Sequence, residues 1–151
     1  MKTVIPVDIV TLGDDNSFHL FVRGTVNGQA CDLLIDTGAS HTIFDATLIP
    51  ALTDLEKEHQ PIQSSGIQAA ELKTTVGCIA GFELGELKRS DWTVILIDLS
   101  HVNDLYRKFT SKRVAGLIGS DFLLLHKAVI DYKKSELTLR NIKGRQPAGR
   151  R

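Results

Sequence analysis

The sequence has 151 residues, 42 % of them hydrophobic and 24 % charged, which excludes a disordered chain and leaves room for one domain rather than two large lobes. Eighteen Lys and Arg balance eighteen Asp and Glu, so no net field draws the protein towards nucleic acid or an anionic membrane surface. Cys31 and Cys78 stand far apart, at neither zinc nor redox spacing, and read as buried thiols. The opening stretch is broken by Pro6 and Asp8, which suits neither a signal peptide nor a membrane span, so a cytoplasmic location is expected.

In chain order, Asp14 and Asp15 read as a turn. The runs HLFVRGTV and QACDLLID flank Asn27-Gly28, a dipeptide suited to the positive φ values of a tight hairpin. Alternation puts Leu20, Val22 and Val26 on one face of the first strand and Cys31, Leu33 and Ile35 on one face of the second. The second strand delivers Asp36. Thr42, Ile43 and Phe44 favour a further strand, and Asp45 is placed to cap a helical turn through Leu48 before Pro50. Residues 51–60 are polar. From Pro61 to Ala80 the pattern is a long hairpin with a small-residue tip at Gly66 to Ala70.

Phe82–Leu87 and Trp92–Ile97 read as strands, and Trp92 as a packing residue. His101 to Phe109 has weak helical spacing, with Val102, Leu105 and Phe109 on one side. The apolar run VAGLIG predicts a buried strand, after which Ser120 can cap a short helix with Asp121 in its first turn. AVIDY and ELTL predict a last hairpin around Lys133 to Ser135. The basic residues 144–151 lack an apolar face and read as a disordered tail after a domain of residues 1–143.

The segment that carries chemistry is LLIDTGAS, residues 33–40. A carboxylate at the end of an apolar strand is an unlikely structural choice, because desolvating it is costly unless something uses it. The same tripeptide, Asp36-Thr37-Gly38, could also cap a turn. His19, His41, His59, His101 and His126 fall at no ligand spacing, so no metal and no cofactor are predicted, and His41 reads as a cleft-edge residue.

With LLIDTGAS, the run ending in Leu117, Ile118 and Gly119, and the following GSDFLLLHKAVIDYKKSELTL, the sequence resembles the retropepsin-like aspartic proteases over roughly residues 15–140. The resemblance implies a mainly β, acid-protease-type closed barrel with a flap hairpin and one short helix after Gly119. It makes Asp36 catalytic, Thr37 and Gly38 supports of its loop, and Gly38, Ala39, Ser40, Gly66 and Ile67 substrate-binding. Ser40 and Ser120 stand where retroviral members often carry an aspartate and an arginine.

Hydrolysis of a peptide bond by two carboxyls needs one to take a proton from water and the other to donate to the carbonyl oxygen; aspartic proteases are a standard illustration of such a proton-sharing pair. The sequence has a single Asp-Thr-Gly and no Asp-Ser-Gly. The family's answer is a homodimer, in which the chain partners itself and meets a peptide or protein substrate. The alternative is a peptide-binding or scaffolding module that keeps the fold without cleaving.

Overall fold

The computed structural model describes residues 1–13, 17–50 and 74–142. The chain opens with β1 (Lys2–Pro6) and β2 (Asp8–Thr11), then the hairpin of β3 (Phe18–Val26) and β4 (Gln29–Ile35). The hairpin turns as the sequence predicts, with φ of 49° at Asn27 and 80° at Gly28. The Asn27 side chain also accepts from the Ala80 and Gly81 amides at 2.9 and 3.2 Å, which ties the tip to the far side of the sheet.

β5 (Ile43–Asp45), β6 (Thr75–Leu84) and β7 (Leu87–Ile97) come next, followed by α1 (Ser100–Arg107), β8 (Val114–Ile118), α2 (Ser120–Leu125), β9 (Val129–Asp131) and β10 (Glu136–Arg140). Six strands bond in the order β3-β4-β8-β5-β7-β6, and Thr25 and Val26 pair with Glu83 and Phe82 to close the ring. The barrel inferred by resemblance is therefore present. β2 extends it beside β3, and β1, β10 and β9 form a separate three-stranded sheet.

Strand sidedness explains the core. β4 sends Leu33 and Ile35 into the barrel interior and Leu34 to the opposite side, beneath α1. The interior is aromatic: Phe44, Phe82 and Trp92 meet edge to face at centroid distances of 5.1–6.1 Å. Each fully buried Phe contributes about 1.5–3 kcal/mol by area removed from water. Trp92 is thus a packing residue, its outer face covered by Arg89 at 4.1 Å. β8 is buried along its whole length because both its faces are covered, so it reads in sequence as a continuous apolar run rather than an alternation.

Several local expectations change. Phe82–Leu87 is not one strand, because Gly85, at φ 60°, turns the chain between β6 and β7. Asp45 ends β5 and caps the single turn expected there, accepting from the Thr47 amide at 3.1 Å, with Leu48 N–H closing the turn on its carbonyl at 3.0 Å. α2 has Gly119 at its N-cap with no side-chain cap, so Ser120 is inside the helix. Besides α2 there is a second helix, α1, whose buried residues are Asn103 and Tyr106, while Leu105 and Phe109 are about half exposed. Cys31 and Cys78 are half-buried, not buried. The Asp14-Asp15 turn, residues 51–60, the tip with Gly66 and Ile67, and the tail 144–151 lie outside the described residues.

Candidate active site

Two strands that run parallel side by side, β4 and β8, end together at Ile35 and Ile118. Their ladder continues one residue further, the Asp36 amide donating to the Ile118 carbonyl at 3.0 Å. Asp36 is therefore fixed by backbone pairing at the end of a core strand. The chain then turns at once, Ala39 N–H donating to the Asp36 carbonyl at 3.2 Å, passes over the end of β8, and returns antiparallel to β8 on its other side as β5.

A polar clamp holds this crossing. Thr42 is buried; its hydroxyl donates to Asp121 Oδ1 at 2.7 Å and accepts from the Gly119 amide at 3.0 Å, while the Thr42 amide reaches the same carboxylate oxygen at 2.9 Å. Asp121 also accepts from Phe122 N–H at 2.7 Å, so one charged oxygen gathers three donors. Ser120 N–H donates to the Ala39 carbonyl at 2.8 Å. At Gly119 a Cβ would lie 2.7 Å from the His41 carbonyl carbon and oxygen and 2.9 Å from the Ala39 oxygen, so the two segments can approach only where the side chain is hydrogen.

Within the loop, Asp36 is half-buried, and its Oδ1 accepts from the Gly38 amide at 3.0 Å. Among the described residues no cation lies within ion-pair distance of it. Thr37, Gly38, Ser40 and His41 are exposed. Ala39 differs: it is buried, its N–H is spent on Asp36 and its carbonyl on Ser120, so both of its backbone groups are engaged within the loop. Gly38 is less constrained than a bulk-intolerant support, since an added Cβ would meet only Asp36 Oδ1, at 3.3 Å.

Asp36 and Thr37 open on a cleft of about 390 Å³ whose other walls include Phe18, His19, Tyr106 and Tyr132. Burial, and then the negative charge of Asp36, push the Tyr106 hydroxyl up to about 12, so it keeps its proton at any working pH. Tyr106 comes from α1, which Asn103 locks to β8 by donating to the Val114 carbonyl at 3.0 Å and accepting from its amide at 2.7 Å. Sequence reasoning missed Tyr106, His19, Thr42 and Asp121 as a set, because they are brought together only by contacts such as Thr42 with Asp121, 79 residues apart. A single carboxyl on a cleft can act as acid or as base, but not as both in one step.

The family described as aspartyl protease matches residues 22–122. Among solved structures, a retropepsin-like aspartic protease from Rickettsia conorii is similar, with a TM-score of 0.51 at 17 % identity over 93 % of this chain and 94 % of that one. The retroviral protease-like domain of Ddi1 from Leishmania major gives a TM-score of 0.48 at 18 % identity, over 82 % of this chain and 90 % of that one. No curated protein matches significantly.

Proposed function

The chain belongs to the aspartyl protease family, and we propose that it is an endopeptidase that cuts extended peptide segments as a homodimer in the cytoplasm, each copy supplying one Asp36. The observation that carries this reading is a lone carboxylate at a strand end, held by backbone and free of described cations, opening on a cleft with room for a side chain. Two such carboxyls brought close cannot both ionise cheaply; they share a proton, one taking a proton from water while the other donates to the carbonyl oxygen.

A two-fold axis near the loop brings the second aspartate without further sequence. The three-stranded sheet supports that arrangement: β9 bonds to β10 on one side, has no described strand on the other, and carries exposed Val129, with Leu124 of α2 also 72 % exposed. In this reading Thr37 steadies the paired loops across the axis, and the exposed Gly38 and Ser40 lie along the substrate backbone. The flap role expected of Gly66 and Ile67 falls outside the described residues.

The test is digestion of a diverse peptide library by the wild type and by Asp36→Asn, read by mass spectrometry from mildly acidic to neutral pH, with sedimentation giving the assembly state. Cleavage by the wild type alone, in a dimer, is expected. Equal cleavage by Asp36→Asn, or full activity in a monomer, overturns the reading.

A further inference from the structure

The cleft beside Asp36 contains an interaction that the two-carboxylate reaction does not use. His19, half-buried on β3, places its Nδ1 2.8 Å from the hydroxyl of Tyr106, and the two rings stand edge to face at 88°. Tyr106 is 4 % exposed, packs edge-on to Phe21 as well, and rides on the helix that Asn103 fastens to β8. The imidazole is therefore held in one orientation by a rigid support.

The direction of that hydrogen bond follows from the chemistry of its partners. A phenol donates its proton readily, and among the described residues the acceptor within reach of the Tyr106 hydroxyl is His19 Nδ1, in the tautomer that leaves that nitrogen bare. In that tautomer the ring proton is on Nε2. Nε2 has no partner among the described residues. The ring lines the Asp36 cleft, where the remaining walls are largely apolar or aromatic, including Phe18, Leu34, Ile130 and Tyr132. Val10, which carries no charge, faces His19 across the β2 ladder.

We propose that this cleft is a side-chain subsite of the protease and that His19 is its specificity-determining residue, selecting a long side chain that is apolar along its shaft and tipped by a hydrogen-bond acceptor, such as tyrosine or glutamine. The proposal rests on the reading of Asp36 as the catalytic aspartate. A cleft of about 390 Å³ accepts an aromatic side chain with space to spare, so shape alone does not separate tyrosine from phenylalanine. The donor does: filling the subsite with an apolar tip strands the Nε2–H that water satisfied before binding, whereas an acceptor tip replaces that water. Tyr106 acts through His19, by fixing which nitrogen carries the proton.

The experiment pairs peptides that differ only at one position, Tyr against Phe and Gln against Met. Binding to Asp36→Asn, which should hold peptides without cutting them, is followed through the His19 ring signals by NMR, and cleavage is followed with the wild type. The acceptor-tipped peptide is expected to bind and react about five- to tenfold better. The preference should vanish in His19→Phe and weaken in Tyr106→Phe, while circular dichroism shows the fold retained. Equal binding of each pair, or a preference that survives His19→Phe, overturns the proposal. Selective binding without cleavage by the wild type upholds the subsite and overturns the protease reading instead; no peptide binding at all overturns both.

Discussion

Asp32 and Asp36 lie four residues apart on the same strand and its end, both half-buried, yet they are treated in opposite ways. Asp32 has Arg23 at 3.2 Å and Lys112 at 3.8 Å, so its charge is met by two cations. Asp36 has the Gly38 amide and, among the described residues, no cation. Asp32 is thus engaged by side-chain partners, whereas the Asp36 carboxylate meets only the backbone of its own loop. The contrast distinguishes the two carboxylates more clearly than burial does, and the proposed function assigns the chemistry to Asp36.

The largest effect that would break this comparison is on turnover. Asp36→Asn should lower kcat/KM by at least about 10²–10⁴-fold, the range for removing a positioned acid or base, whereas Asp32→Asn should leave it within about twofold. Comparable losses in both variants, measured on one peptide, would show that the two carboxylates are not divided as described. Asp32→Asn should also cost little stability, about 1 kcal/mol or less, because Arg23 is largely exposed.

Next in size is a pair of glycines on the same loop system. Gly119→Ala pushes a Cβ onto backbone atoms of His41 and Ala39 and should destabilise by about 1–3 kcal/mol in urea unfolding. Gly38→Ala meets only a carboxylate oxygen and should unfold nearly as the wild type does, losing activity if the substrate backbone passes there. Equal stability of the two variants would contradict the close crossing over β8.

Titration sharpens the comparison further. His126 is buried, donates its Nδ1–H to the Arg140 carbonyl, and leaves Nε2 without a described partner. Burial pulls its proton affinity down, the Arg140 carbonyl partly opposes this, and Arg89 adds to it. Because the folded pKa lies below that of the unfolded chain, the unfolded state binds more protons in acid. His126 thus stabilises fully above the ordinary histidine range, and that contribution is lost as pH falls through it towards the folded value. Denaturation of His126→Phe from pH 7 to 5 should show a shallower loss of stability than the wild type.

The smallest effect lies beside Asp32. Burial first, then the Asp32 charge, push the Cys31 thiol up to about 11, with Arg23 opposing. Asp32→Asn removes one cause of the rise and should speed alkylation of Cys31 a few-fold, by peptide mapping at mildly alkaline pH. An unchanged rate would mean that access, not charge, governs the thiol.

How much of this could be read from the chain depends on distance along it. The β3–β4 hairpin was legible because Asn27-Gly28 and two alternating runs specify it locally, and β8 because a strand covered on both faces needs an unbroken apolar run. Asp36 was legible by the same logic, as a carboxylate where an apolar strand stops. α1 was only half legible. Spacing favoured Val102, Leu105 and Phe109 as its inner face, but the helix is turned so that Asn103 can satisfy both backbone groups of Val114, with Tyr106 beside it. β1 left no clear signal of a strand; its pairing with β10 joins residues more than a hundred apart.

By itself, then, the sequence determined the strand-rich character, the tight hairpins and the position of one carboxylate at the end of a core strand, because side-chain alternation and turn geometry act between near neighbours. Only the tertiary structure decided what surrounds that carboxylate. The barrel closure between β3 and β6, the Thr42–Asp121 clamp and the His19–Tyr106 pair all join groups remote in the chain, and hydrogen bonds of that kind form only where packing has already brought their partners within 3 Å.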